Sequence, residues 1–265
     1  MRREHAGAAV LMACCLFVPL HALGQGPGRG GPLPSGPPLP ARAEAPIDIT
    51  GYWVSVVSED WRYRMTTPPK GDYQGVPMNE SARRVADEWD PAADEAAGSR
   101  CKSYGAAAIM RVPGRIHITW QDDMSLRLDT DAGMQTRLFR FGPGQPNSQP
   151  TWQGDSAARW EIAGGGRGRG RGGPSAVNAP RFGSLRVVTT NLRAGYLRKN
   201  GVPYSEAAVV TEYFDLAPQR NGSQVLVVTT VVDDPQYLQQ PLMLSTQFRK
   251  QADATGWDPA PCSAR

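Results

Sequence analysis

Apolar and polar positions alternate with period two along much of this chain, the pattern of strands that bury one face. The clearest case is 115–120, where Ile116, Ile118 and Trp120 share one face and Arg115, His117 and Thr119 the other. Residues 125–130 repeat it, with Leu126 and Leu128 against Arg127 and Asp129. A β-branched and aromatic run at 47–57 (IDITGYWVSVV) predicts the first strand. Residues 109–112, Pro113-Gly114 and 115–120 read as a hairpin, and Asp122-Asp123 turns the chain into 125–130. Further strands are predicted at 135–141, 157–162, 184–191, 207–215, 224–232 and 244–250, with Asn221-Gly222 as a hairpin turn.

A period near 3.6 appears once with conviction. Asn79 is placed as an N-cap, Glu80 lies in the first turn, and Ala82, Val85, Ala86 and Trp89 fall at helical spacing. Pro91 ends this helix or opens a second short one through Ala97, stopped by Gly98. About nine short strands joined mainly by hairpin-length turns, with one or two early helices, predict an all-β domain. Such strands must dispose of their edges, and the expected solution is an antiparallel meander closed into a calycin-like or lipocalin-like barrel. A two-sheet sandwich is the alternative.

The ends change the inventory. Residues 1–24 combine Arg2 and Arg3, an apolar run from Ala6 to Leu20, and small residues at Ala22 and Gly24, the pattern of a cleavable signal peptide. The run is too short for a permanent membrane anchor. Residues 25–46 are rich in Gly and Pro without periodicity and read as a disordered leader. Residues 47–265 then form a single domain, interrupted by an RG-rich flexible loop at 164–175. The expected location is the periplasm or the exterior.

Cleavage removes Cys14 and Cys15, and the two remaining cysteines, Cys101 and Cys262, are expected to pair in an oxidising compartment. Closing so long a loop stabilises by about 4 kcal/mol in the chain-entropy view. It also removes His5 and His21, leaving His117 as the one mature histidine. A zinc-type site and a Ser–His–Asp triad on a G-x-S-x-G elbow are therefore excluded, and no cofactor is expected. Of the formal charge of +4, Arg2, Arg3 and Glu4 account for +1, and Arg167, Arg169 and Arg171 for +3. The rest of the chain is neutral and offers no broad face to nucleic acid. Oligomeric state is not readable.

Candidate chemistry concentrates in three places. Residues 59–64 (EDWRYR) leave the first strand, and 196–201 (YLRKNG) form an aromatic and basic connection. Glu212, between Val210 and Phe214 on one strand face, is placed to point inward, either as an acid or base of raised pKa or paired with an arginine such as Arg186. His117 and Tyr213 complete the catalytic candidates; His117 serves proton transfer only if its face lines a polar lumen. Trp61, Trp120, Trp160, Tyr196 and Arg198 are the ligand-binding candidates, expected at the mouth of a hollow barrel.

Gly51-Tyr52-Trp53 resembles the G-x-W signature of lipocalins and their calycin relatives. That resemblance implies that Trp53 packs at the closed end beneath an arginine from the last strand, for which Arg249 is the candidate, in a cation–π contact. The remaining lipocalin motifs are not evident, and the helix lies early rather than after the barrel. Residues 188–204 (VTTNLRAGYLRKNGVPY), 211–214 (TEYF) and 232–241 (VDDPQYLQQP) are similar to a family of secreted soil-bacterial proteins without assigned activity. This second resemblance implies export and a shared fold and carries over no catalytic residue. Three functions follow: an exported binder of a small, partly hydrophobic molecule, a cofactor-free isomerase, cyclase or hydratase using a buried carboxylate, or an envelope-interaction protein with a filled barrel.

Overall fold

The structure is a computed structural model and describes residues 39–162 and 182–264. The expected signal peptide, most of the leader and the RG-rich loop lie outside these residues. Nine strands close into one barrel: β1 Gly51–Val56, β2 Arg115–Asp122, β3 Ser125–Thr130, β4 Thr136–Phe141, β5 Asp155–Ile162, β6 Gly183–Thr190, β7 Val209–Pro218, β8 Gln224–Asp233 and β9 Leu242–Lys250. Each strand pairs with its neighbours in sequence, and β1 pairs with β9 (Trp53 opposite Lys250) to close the ring. A ring of nine strands cannot alternate in direction all the way round. One pair must be parallel, and it is β4–β5, with Phe139 opposite Ser156.

The predicted strand at 109–112 is not one: Ile109–Arg111 is a turn of 3-10 helix. The reason is burial on every side. Ala106 to Met110 are all buried, continuous rather than alternating, and they fill the base of the barrel's cap. The predicted helices are present. Glu80–Asp87 is capped by the Asn79 side chain accepting from Ala82 N (2.9 Å), and Pro91–Ala96 is capped by Asp90. They belong to the long β1–β2 connection, which lies over one end of the barrel with Ala82 and Ala86 facing Leu192, Tyr204, Val210 and Val232. Trp89 is seated against Gly201, whose φ is +85° and where any Cβ would fall 2.3 Å from that of Trp89.

The opposite end is also covered. Ala41–Glu44 is a short helix whose Ala41 is buried, and Trp160 donates its indole N–H to the Ala41 carbonyl at 2.8 Å. The leader read from sequence as ending at residue 46 therefore joins the folded body from residue 39. Its Gly/Pro content hid this, because the docking needs only Ala41, Ile47 and Ile49 against the barrel rim.

Between the two ends the interior is filled. Trp53, Ile118, Leu126, Leu128, Phe139, Phe214 and Phe248 are at most 1 % exposed and pack as one cluster. Trp53 donates to the Ile49 carbonyl at 2.9 Å. The cation over its ring is Lys250, at 4.4 Å, and not Arg249. Arg249 lies opposite Val54 and Val225, one residue out of phase with the inward Phe248, so its side chain belongs to the outer face. Lys250 also donates to the Thr50 carbonyl. Lys250→Met is expected to cost about 1 kcal/mol, and Arg249→Met less than about 0.5 kcal/mol. Urea denaturation of the two variants separates the residues, and equal losses would refute the pairing.

Cys101 and Cys262 form the expected disulfide. It joins the 3-10 turn Arg100–Tyr104 to the C-terminal segment, whose Ala260–Pro261 pairs in parallel with Ala132–Gly133.

Candidate functional site

The inward carboxylate is where the alternation of β7 places it. Val210, Glu212 and Phe214 follow one another into the interior, the first in the cap cluster and the last in the barrel core. Glu212 accepts two hydrogen bonds from Arg137, at 2.9 and 2.5 Å, and both side chains are 0 % exposed. Arg137 also donates to Thr189 (3.3 Å), which shares a hydrogen bond with Ser156 (2.7 Å). Glu212 is thus one half of a sealed ion pair between two apolar layers, and the expected acid or base has no substrate within reach. The sequence alternative named Arg186, which lies outside the barrel. In the register Arg186 faces Tyr213 while Glu212 faces Val187, so Arg186 donates to the Tyr213 hydroxyl at 3.3 Å. Tyr213 is accordingly an outer-face residue.

His117 also sits on the outer face. It stacks on Tyr52 at 3.9 Å, with Trp257 edge-on, and burial there lowers its pKa. Trp120 and Trp160 point inward but at the covered end, tilted against Phe141 beneath residues 39–49. Trp160 packs into that end, and Trp120 also borders a shallow cleft of about 360 Å³ against residues 42–50. Trp61 is 64 % exposed.

Two of the three segments singled out from the sequence do meet. Residues 63–67, 103–113 and 197–199 surround a cleft of about 330 Å³ on the cap, outside the barrel. Tyr63, Met65, Ala108, Val112 and Leu197 supply apolar wall; Arg64, Arg111, Arg198, Lys199 and Ser103 supply polar groups. Trp61–Arg64 forms a single helical turn, entered through Asp60 in the left-handed region (φ 48°). That turn directs Arg64 inward, where its Nε donates to the Arg111 carbonyl at 3.0 Å and ties the two walls together.

The third wall is held by buried polar anchors. Asn200, fully buried, donates to the carbonyls of Pro69 (3.2 Å) and Asp72 (2.9 Å). Tyr196 donates to Asp94 at 2.8 Å, and Lys102 donates to the same carboxylate at 2.5 Å. Burial, with Asp94 adding to it, drives the Tyr196 pKa well above that of a free tyrosine. Tyr196 is therefore a clamp that positions Leu197 to Lys199 rather than a lining residue. Arg198 lies over the Tyr63 ring at 4.3 Å and donates to the Gln74 carbonyl at 2.7 Å. Lys199 donates to the Tyr104 hydroxyl at 2.7 Å.

Arg111 was invisible to sequence reasoning because its segment read as a strand arm. Its signal was available in the uninterrupted apolar run before it, which is unlike a half-buried strand. In comparisons with known proteins, no protein-family model, no curated protein and no solved structure matches this chain.

Proposed function

We propose that this chain is an exported protein that binds a small, partly apolar molecule, and that the ligand sits in the cleft on the cap instead of inside the barrel. The observation that carries this reading is the cleft's composition. It is concave, has an aromatic and aliphatic wall, and gathers polar groups from three separate segments, the usual make-up of a small-molecule site. Export is supported by the N-terminal pattern and by a disulfide of the kind that persists in oxidising compartments. The interior supports no ligand: its own side chains occupy it, and Glu212 is committed to Arg137. The enzymatic alternative loses its main carboxylate by the same fact.

The filled interior also favours a second reading, an envelope-interaction protein. Exposed Trp61 and Met65 beside the cleft are the apolar surface it would use.

The two readings part on native mass spectrometry of protein purified from the host's own periplasm. A ligand-binding protein is expected to carry a non-covalent adduct of about 0.4 kDa or less, a size a cleft of this volume admits. Thr67→Trp, on the exposed wall, is expected to abolish the adduct without altering the melting temperature. An adduct retained in this variant moves the site elsewhere, and a bare wild-type mass supports the interaction protein.

A further inference from the structure

The cleft has an unusual charge arrangement. Arg64, Arg111 and Arg198 all line it, and each is at least nine-tenths buried. Guanidinium groups are costly to bury unless an anion accompanies them. Among the described residues, Glu59 holds Nη1 of Arg64, Asp60 holds Nη2 of Arg111 at 3.0 Å, and Asp72 lies near enough to Arg198 to act on its charge. The remaining terminal nitrogens, Nη2 of Arg64 and Nη1 of Arg111, are buried and have no partner among the described residues. Arg198 is bonded to a backbone carbonyl and stacked on Tyr63, and no described carboxylate pairs with it. None of the described residues lining the cleft is acidic.

Direction of charge supports the same picture. Burial lowers the pKa of Arg64 and of Arg198 and the Arg111 charge adds to it, while Glu59 and Asp60 oppose the shift at Arg64, and Asp60 and Asp72 at Arg198. Arg111 is therefore close enough to repel both of the others. Such a group persists where a bound oxyanion completes it, because the planar fork of arginine matches two oxygens at once. Beside them the Tyr63 ring, Met65, Val112 and Leu197 receive an apolar body.

From this geometry we infer that the cleft binds an organic oxyanion, a carboxylate or phosphate monoester carrying a small aromatic or aliphatic group, through Arg111 and Arg198, with the sealed Arg64 side chain standing behind them. The inference rests on the cleft-binding reading above and adds the ligand's charge class.

Isothermal titration of the full mature chain with benzoate, phenyl phosphate, inorganic phosphate and the neutral isostere benzamide tests it. At least one oxyanion is expected to bind tenfold or more tightly than benzamide, and to weaken as salt rises. Benzoate above both phosphates assigns a carboxylate, and phenyl phosphate above benzoate assigns a phosphate ester. Arg198→Met is expected to reduce that preference at least tenfold. Arg111→Lys keeps a charge but loses the fork and is expected to behave similarly. The wild-type comparison needs no variant, so a variant that fails to fold leaves the test intact. Equal binding of benzoate and benzamide, both blocked by Thr67→Trp, overturns the oxyanion inference and leaves the cleft reading standing. Absence of binding by all four probes, with a bare native mass, overturns both.

Discussion

Arg137→Met is expected to lower the stability of the domain by about 3–5 kcal/mol, the usual cost of leaving one member of a buried ion pair alone. The physical argument is desolvation. Both side chains are 0 % exposed, and the two parallel hydrogen bonds are what offset the transfer of the Glu212 carboxylate out of water. Methionine retains much of the stem's packing against Phe139, over whose ring the guanidinium lies at 4.9 Å, so the loss reports the charge rather than a cavity. Removing both charges relieves most of it. Arg137→Met combined with Glu212→Leu is expected to lie within about 2 kcal/mol of the wild type, because well-packed apolar replacements of a buried pair are often neutral. Urea denaturation of the two singles and the double measures this as a cycle. A single-variant loss below about 1 kcal/mol would mean that water reaches the pair and that the barrel has an open interior.

Breaking the Cys101–Cys262 bond is expected to cost about 4 kcal/mol, seen as a fall in the urea midpoint of about 2 M at a slope near 2 kcal/mol per M. The bond spans 161 residues, a loop that contains β2 through β9, so the unfolded chain gains much freedom when it is cut. The effect should also be local. Cys262 anchors the C-terminal segment that carries Trp257 against Tyr52 and His117, and Cys101 belongs to the turn that supplies Ser103 and Tyr104 to the cleft. Cys101→Ser with Cys262→Ser, compared with wild type with and without reductant, separates the bond from the side chains. An unchanged midpoint on reduction would show that the two sulfurs are not joined in solution.

How far the strands could be read depended on phase. Where one face was buried and the other wet, as at Ile116, Ile118 and Trp120, the alternation located the strand closely. The strand expected at 47–57, by contrast, begins only at Gly51, and the one expected at 207–215 runs on to Pro218. Where the apolar run was unbroken, at Ala106 to Met110, period carried no information and a capping segment passed for a strand. Two partner assignments chose a residue on the outer face. Arg186 and Arg249 each lie next to an inward residue, and a step of one along a strand changes the face. Strict phase counting points to the correct residues: Arg137 is in step with Phe139 and Phe141, and Lys250 with Phe248.

Strand positions, helix caps and the pairing of the last two cysteines were legible because each is set by neighbours in the chain or by a count of residue types. The order of the barrel followed from pairing consecutive strands as a meander, through both short turns and long connections. The parallel contact of β4 with β5 did not, since it arises from closing an odd ring, a property of the whole circuit. Whether the barrel was hollow turned on how much volume the inward side chains fill, and local pattern holds no measure of volume. The cleft joins Arg64, Arg111 and Arg198 from segments far apart in the chain, and their approach exists only because Asn200, Tyr196 and Asp94 fasten the cap's loops to one another.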